Sequence, residues 1–185
     1  MSSSLAGLIE ELETIAESVD KTFGVLSNEQ INWKQNAWSW SIGQCLEHLI
    51  ITNRLEFPAI ENALSTRYKN PFWSRPPFLS QIFGKSAIYI FGIKSRKKIK
   101  APKSFRPLTS NIGMQMVRDF IAHQRDVIHM FERCRSLDLD RVKIVSPVSN
   151  LITYHLYDAF TLLTVHEQRH VEQASRVMQT RGFPS

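Results

Sequence analysis

Apolar residues recur every three or four positions along four long stretches of the chain, with polar and charged residues between them. The stretches are residues 5–26, 42 to about 64, 109–137 and 151 to about 181. This period places the apolar side chains on one face of an α-helix. No convincing strand pattern accompanies the four stretches. We therefore predict an all-α fold, a four-helix bundle, in which metal ligands can project inward from facing helices.

The length of the chain fits a single domain, which we place at residues 1–185. A chain of this length buries roughly 70% of its unfolded surface around one core. Ser41 and Gln44 resemble a capping box that opens the second helix. Pro58 is expected to kink that helix without ending it, and Gly182 with Pro184 ends the fourth helix.

Residues 67–107 break the helical period between the second and third helices. Five prolines fall there, and the apolar run 78–93 is followed by clustered Lys and Arg. We predict an insertion over about residues 66–108 and favour a flap that packs across the end of the bundle. An interfacial membrane segment and an anion-recognising rim are the alternatives. The candidate anion-binding residues are Lys94, Arg96, Lys97 and Lys98.

The net charge of +6 arises from the same part of the chain. Residues 62–118 hold twelve Lys or Arg and no Asp or Glu, whereas the remainder is net acidic. A protein that binds nucleic acid by base stacking interleaves aromatic side chains with basic ones. The four tryptophans are not placed in that way, so a nucleic-acid partner is not predicted.

The two cysteines, Cys45 and Cys134, lie in separate helical stretches without metal or redox spacing. This usage is typical of a reducing compartment. The N-terminus lacks the basic flank and apolar core of a signal peptide, and no run of about 18 apolar residues occurs. We expect a soluble, cytoplasmic protein.

The fourth predicted helix contains the sequence His166-Glu167-Gln168-Arg169-His170. Positions four apart lie about 6 Å apart along a helix and on nearly the same face, so both imidazoles can face one ion. The letters also match the His-Glu-x-x-His signature of zinc proteases. However, Gln173 and Arg176 occupy the places of Gly and His in one protease class, and the downstream Glu of the other is missing. A third ligand must therefore come from upstream.

Four other histidines are candidates for the third ligand. His155 would lie about 16 Å from His166 along the predicted helix, too far to share an ion. His129 lies off the apolar face of the third helix and is expected in solvent. His123 borders that face and stays a candidate. His48 is the stronger candidate, because it lies at the buried edge of the second helix.

Residues 40–49 read Trp-Ser-Ile-Gly-Gln-Cys-Leu-Glu-His-Leu and look like the Trp-Ser-(x)6-His-Leu motif of the DinB/YfiT-like proteins. His166, His170 and Gln173 are similar to the C-terminal motif of that family. Ala-Pro at 101–102, Pro107 and Ser-Pro at 146–147 resemble its DinB_2 branch. The resemblance covers most of the chain and implies a four-helix bundle whose motif histidines hold one divalent ion, often Zn or Ni. It assigns the metal ligands as His48, His166 and His170.

The resemblance also implies a function. Family members include bacterial thiol S-transferases, such as the bacillithiol-dependent type, and a mycothiol-dependent maleylpyruvate isomerase. We therefore expect a metal-dependent thiol S-transferase that acts on small electrophiles with a low-molecular-weight thiol as partner. A metal-dependent hydrolase is one alternative. A non-enzymatic metal-binding protein that acts through its basic insertion is the other, and a homodimer is left open.

Other polar side chains near the motif histidines receive supporting roles. Glu47 and Glu167 are predicted to orient an imidazole rather than to act as a general base. Gln173, one turn beyond His170, is predicted to hydrogen-bond within the site. Cys45 is a softer alternative ligand, but a buried apolar role is favoured. No catalytic residue is assigned.

Overall fold

The computed structural model describes residues 4–74, 76–92, 100–108 and 112–185. Over these residues it contains six α-helices and one two-stranded antiparallel sheet. The helices are α1 (Leu5–Phe23), α2 (Asn28–Asn32), α3 (Ile42–Ala63), α4 (Pro77–Phe91), α5 (Gln115–Arg133) and α6 (Leu156–Met178). The strands are β1 (Lys143–Ser146) and β2 (Ser149–His155), and short 3-10 turns lie at Phe72–Ser74 and Lys103–Phe105.

The four longest helices that pack together are α1, α3, α5 and α6, and they form a four-helix bundle. Helix α1 packs against α5 and α6, and α3 packs against the same two helices. Their apolar faces meet in one core, where Phe131 stacks on Phe160 with ring centroids 3.9 Å apart. These helices correspond to the four amphipathic stretches of the sequence. The predicted all-α bundle is therefore confirmed.

A β-hairpin precedes the last helix, and here the sequence prediction was wrong. No strand was expected between the third and fourth helical stretches, and the fourth helix was expected to begin at about Leu151. Instead β1 pairs with β2, with Ile144 opposite Tyr154, and α6 begins at Leu156. Ile144 and Tyr154 are both buried, so the hairpin closes one part of the core. Strand pairing of this kind depends on a partner strand and on burial more than on local propensity.

Helix α3 begins as the sequence predicted. The Ser41 hydroxyl accepts a hydrogen bond from the Gln44 N–H, and the Gln44 side chain accepts one from the Ser41 N–H, both at 3.2 Å. The helix then continues through Pro58 to Ala63, so the proline does not end it. This start places His48 two turns into a buried segment of α3.

A short helix, α2, follows α1. It was not predicted from the sequence. Ser27 and Gln30 form its capping box. Asn32 then binds the backbone of Ile112, donating from Nδ2 to the carbonyl at 2.5 Å and accepting the N–H at 2.6 Å. Helix α2 therefore holds the chain just before α5.

The insertion between the second and third bundle helices contains α4. This helix packs against α6 and β2. Within the described part of the chain, every helix is too short or too polar to cross a bilayer. The insertion therefore adds a surface helix to the bundle.

Candidate metal centre

Three histidines meet between α3 and α6. His48 lies on α3, and His166 and His170 lie on successive turns of α6. One ring nitrogen from each lies within 4.8 Å of the other two. The Nε2 atoms of His48 and His166 are 3.1 Å apart. The packing of α3 on α6 therefore creates a compact set of three imidazole donors.

The insertion fixes the orientation of His48. Its Nδ1 lies 2.5 Å from the carbonyl oxygen of Phe105, in the 3-10 turn Lys103–Phe105. Because a carbonyl can only accept, Nδ1 carries the proton and donates it. The lone pair of His48 is then on Nε2, which faces His166. This contact could not be predicted from the sequence, because it joins positions 57 residues apart.

Aromatic side chains surround the three imidazoles. The ring of Trp40 lies 4.8 Å from that of His48 and 5.7 Å from that of His170, measured between centroids. The ring of Phe91, at the end of α4, lies 6.1 Å from that of His166. His48 is only 4% exposed, and His166 and His170 are each 9% exposed. The imidazoles are therefore largely shielded from solvent, and aromatic rings lie against them.

This environment keeps the imidazoles neutral. Burial lowers the pKa of His48. Burial, reinforced by neighbouring positive groups, lowers the pKa of His166 to about 3 and that of His170 to about 2. A neutral imidazole has one free lone pair, which a metal ion requires. At neutral pH all three side chains are therefore ready to act as ligands.

Comparison with known protein families gives a match over most of the chain. The family model described as the DinB superfamily matches residues 11–174. The chain belongs to the DinB superfamily. Comparison with curated proteins and with solved structures gave no match. The matched segment includes all three histidines, so the cluster lies within the DinB part of the chain.

Gln173, Glu47 and Glu167 were predicted to support the histidines of this DinB protein. The structure gives each of them different neighbours. The Gln173 side chain acts to raise the pKa of the His170 imidazole, against the larger effect of burial. The Glu47 carboxylate accepts a hydrogen bond from the Leu108 N–H at 3.2 Å. Glu47 therefore ties α3 to the end of the insertion, and its described hydrogen bond does not involve an imidazole.

Glu167 points away from the cluster into the bundle interior. Its two carboxylate oxygens accept hydrogen bonds from Asn53 Nδ2 and Gln124 Nε2, each at 2.6 Å. Burial raises the pKa of this fully buried carboxyl to about 7, against the effect of the two amides. Its hydrogen bonds thus join α6 to α3 and α5, and do not orient an imidazole as predicted. In this position Glu167 also does not serve as the general base of a zinc protease.

The other histidines lie outside the cluster. His123 is buried and stacks on Phe57 with ring centroids 5.5 Å apart. His129 is exposed, as predicted. His155 was placed within the last helix, which is wrong: it lies at the end of β2, where Nδ1 contacts the carbonyl of Asp140. Of these histidines, none joins His166 and His170 in the cluster found among the described residues.

The sequence also indicated an alternative ligand, Cys45, and four basic residues as candidates for anion binding. Cys45 is fully buried, and burial raises the pKa of its thiol to about 12, as expected for an apolar role. The anion-binding candidates Lys94, Arg96, Lys97 and Lys98 lie outside the described residues. Sequence reasoning missed Phe105 and Phe91, and it assigned Trp40 no role beyond the motif.

Proposed function

We propose that His48, His166 and His170 hold one divalent metal ion, Zn or Ni, and that the protein is a metal-dependent thiol S-transferase acting on small electrophiles. The observation that carries the metal assignment is the convergence of three ring nitrogens within 4.8 Å. The transferase assignment rests in addition on the DinB family.

The donor set fits such an ion. Two nitrogens bound to zinc at 2.0–2.1 Å with tetrahedral angles lie about 3.3 Å apart. The 3.1 Å between the Nε2 atoms of His48 and His166 is close to that value. A three-histidine ion leaves a coordination position open and would supply a Lewis acid for a substrate or cosubstrate group.

The residues of the chain would position the ligands and exclude water. The Phe105 carbonyl orients His48 through Nδ1. Trp40 lies against the rings of His48 and His170, and Phe91 lies against the ring of His166. A water-poor site strengthens the interaction between a metal centre and an anionic group.

Among the described residues, the side chains beside the cluster offer no reactive nucleophile, which favours an external one. The thiol of Cys45 is fully buried with its pKa raised to about 12, so it is not a thiolate at neutral pH. Glu167 is engaged with Asn53 and Gln124. A low-molecular-weight thiol that enters with the substrate would supply the nucleophile, which supports transfer.

Metal content tests the first part of this proposal. Protein purified without a His tag should bind one divalent ion per chain, measured by elemental analysis after dialysis. His48→Ala, His166→Ala and His170→Ala should each lose that ion, because two imidazoles are a poor site. His129→Ala, an exposed histidine, is the matched control and should keep it. Full metal content in all three cluster variants would refute the assignment.

Activity tests the second part. Metal-loaded protein is incubated with a generic electrophile and a panel of small thiols, and separately with esters and amides. Metal-dependent thioether formation that is lost in His166→Ala is the expected result. Cleavage of esters or amides without added thiol, with the same loss, would instead identify a hydrolase. Silence in both assays with metal bound would favour the non-enzymatic alternative.

A further inference from the structure

Helix α4 presents five large apolar side chains to solvent, and two of its small residues face the protein. Phe78, Ile82 and Tyr89 lie at helical spacing on its outer side and are 59%, 55% and 68% exposed. Ser80 and Gly84, on the opposite side, are buried. A surface helix normally has the reverse arrangement, with its apolar residues facing the core. The outer side of α4 is therefore an apolar surface without a partner among the described residues.

Contacts on the inner side hold α4 in this orientation. The hydroxyl oxygens of Ser80 and Thr153 are 2.9 Å apart, in hydrogen-bonding distance. Gly84 lies so close to α6 that a Cβ atom there would come within 2.3 Å of the Asp158 carboxylate. At the other end, Arg169 of α6 donates from Nη1 to the carbonyl of Ile90 at 2.9 Å. These contacts with β2 and α6 therefore keep the apolar side of α4 turned toward solvent.

The exposed apolar residues form a patch along the helix, which we call the α4 apolar face. Its members are Phe78, Leu79, Ile82, Phe83 and Tyr89, all exposed. The 3-10 turn Phe72–Ser74 contacts α4 and adds the exposed rings of Phe72 and Trp73. A patch of this kind on a protein surface marks an interaction site.

The segment of the chain that contains this face carries charged residues of one sign. Residues 67–106 hold eleven Lys or Arg and no Asp or Glu. Of the described residues, Lys85 lies on α4 itself, between Ile82 and Tyr89, and is exposed. Lys69 and Lys100, on the two sides of the helix in sequence, are also exposed. Aromatic and aliphatic side chains with a basic border are typical of helices that lie on anionic membranes.

We propose that the α4 apolar face docks on the surface of a bilayer that contains anionic lipid. Helix α4 has 15 residues and is about 22 Å long. It is too short to cross a hydrocarbon core of about 30 Å, so it would lie in the interface plane. A symmetric contact between two copies would bring two basic surfaces together, and that repulsion disfavours a homodimer through this face.

Docking in this way would place the three-histidine cluster next to the membrane. Phe91 of α4 packs on His166, and Arg169 lies between His166 and His170 in sequence while it binds the last turn of α4. The docking depends on the α4 apolar face and on the basic residues of the insertion, so it stands whether or not a metal ion binds.

Vesicle sedimentation of the full chain tests the proposal. The protein should pellet with phosphatidylcholine vesicles that contain phosphatidylglycerol and should stay in the supernatant with phosphatidylcholine alone. Raising the salt from about 0.1 M to about 1 M shortens the Debye length from about 10 to about 3 Å. We expect this change to weaken binding to the anionic vesicles at least about tenfold, because clustered basic residues contribute the attraction.

A double variant separates the contribution of apolar side chains to vesicle binding from the contribution of the basic residues. Phe78→Ser with Ile82→Ser removes two exposed side chains and should weaken binding to anionic vesicles at least about tenfold, since each inserts apolar surface into the interface. Val25→Ser, an exposed apolar residue in the loop after α1, is the matched control and should bind as the wild type does. If the double variant is not folded by circular dichroism, Tyr89→Ser alone provides the same comparison.

Three results would overturn the proposal. The first is the absence of binding to anionic vesicles at low salt. The second is binding that the α4 variants leave unchanged, which would reduce the interaction to charge alone. The third is a dimer in sedimentation equilibrium that the Phe78→Ser, Ile82→Ser variant dissociates, which would show that a second copy covers the face.

Discussion

Glu56 is a carboxyl group held in the interior of the bundle. It lies on α3, is buried, and accepts a hydrogen bond from the Tyr154 hydroxyl at 2.6 Å. Burial raises its pKa from 4.5 to about 7, although the hydrogen bond from Tyr154 acts in the opposite direction. The folded chain therefore binds this proton more tightly than the unfolded chain. The resulting stabilisation is complete below about pH 4.5 and is lost as the pH rises through about 7.

Glu56→Gln should remove this dependence on pH. Glutamine keeps an oxygen that can accept from Tyr154 but cannot ionise. Between about pH 4.5 and pH 8, the free energy of unfolding of the wild type should fall relative to the variant by on the order of 3 kcal/mol. Urea unfolding of both proteins across this range measures the difference.

The wild type must be compared with the variant because buried histidines change the free energy of unfolding in the opposite direction with pH. Burial lowers the pKa of His123 to about 4, so its contribution rises as the pH rises from about 4 to its ordinary value of 6.5. Such effects are common to both proteins and cancel in the difference. Glu10→Gln, at an exposed position of α1, controls for the loss of a carboxylate. Parallel pH profiles for wild type and Glu56→Gln would contradict the prediction.

At the scale of elements, the position of α4 depends on a close approach to α6. Gly84 faces Asp158 in the first turn of α6, where an added Cβ would lie 2.3 Å from Oδ2 and 2.8 Å from Cβ. Because the obstruction includes an atom next to the backbone, rotation of the Asp158 side chain alone does not remove it. A residue larger than glycine would therefore separate the two helices.

Gly84→Ala should destabilise the docked α4, although alanine favours a helix by about 1 kcal/mol over glycine. Overpacking of this severity typically costs about 1–3 kcal/mol, so we expect a net loss of stability. Hydrogen exchange should become faster in α4, as measured by mass spectrometry. Ser86→Ala, at an exposed position of the same helix, should not have this effect. A rise in melting temperature in Gly84→Ala would show that the close approach of α4 to α6 does not require glycine at this position.

At the scale of the whole molecule, the three histidines join segments that are distant in the chain. His48 meets His166 across 118 residues and contacts Phe105 across 57 residues. A ligand bound by the cluster would link α3, α6 and the insertion only in the folded state. Binding of that ligand is therefore coupled to the stability of the fold.

Metal should stabilise the protein by an amount set by its affinity. At a free concentration of about 100 times the dissociation constant, the expected gain in unfolding free energy is about 2.7 kcal/mol. A chelator should remove this gain from the wild type and should not change His48→Ala, His166→Ala or His170→Ala. Denaturant unfolding with and without Zn²⁺ measures it. An equal gain in the His48 variant would exclude that residue as the third ligand.

The long helices and the histidine pair could be predicted from the sequence because they depend on local spacing. The period of three to four positions identified α1, α3, α5 and α6, and Ser41 with Gln44 marked the start of α3. His166 and His170 face the same direction because they are one turn apart. The hairpin of β1 and β2 was missed, because a strand is stabilised by a partner that the local pattern does not show.

Tertiary packing decided the rest of the site and the surface. From the residues alone His48 was the stronger candidate for the third donor and His123 stayed open, and the family motif also indicated His48. The packing of α3 on α6 brings His48 to the pair, since contact between helices depends on their relative position and not on spacing within either one. The same holds for Phe105, whose carbonyl orients His48. The outward apolar side of α4 was hidden in the sequence because an apolar run does not reveal which side the protein covers.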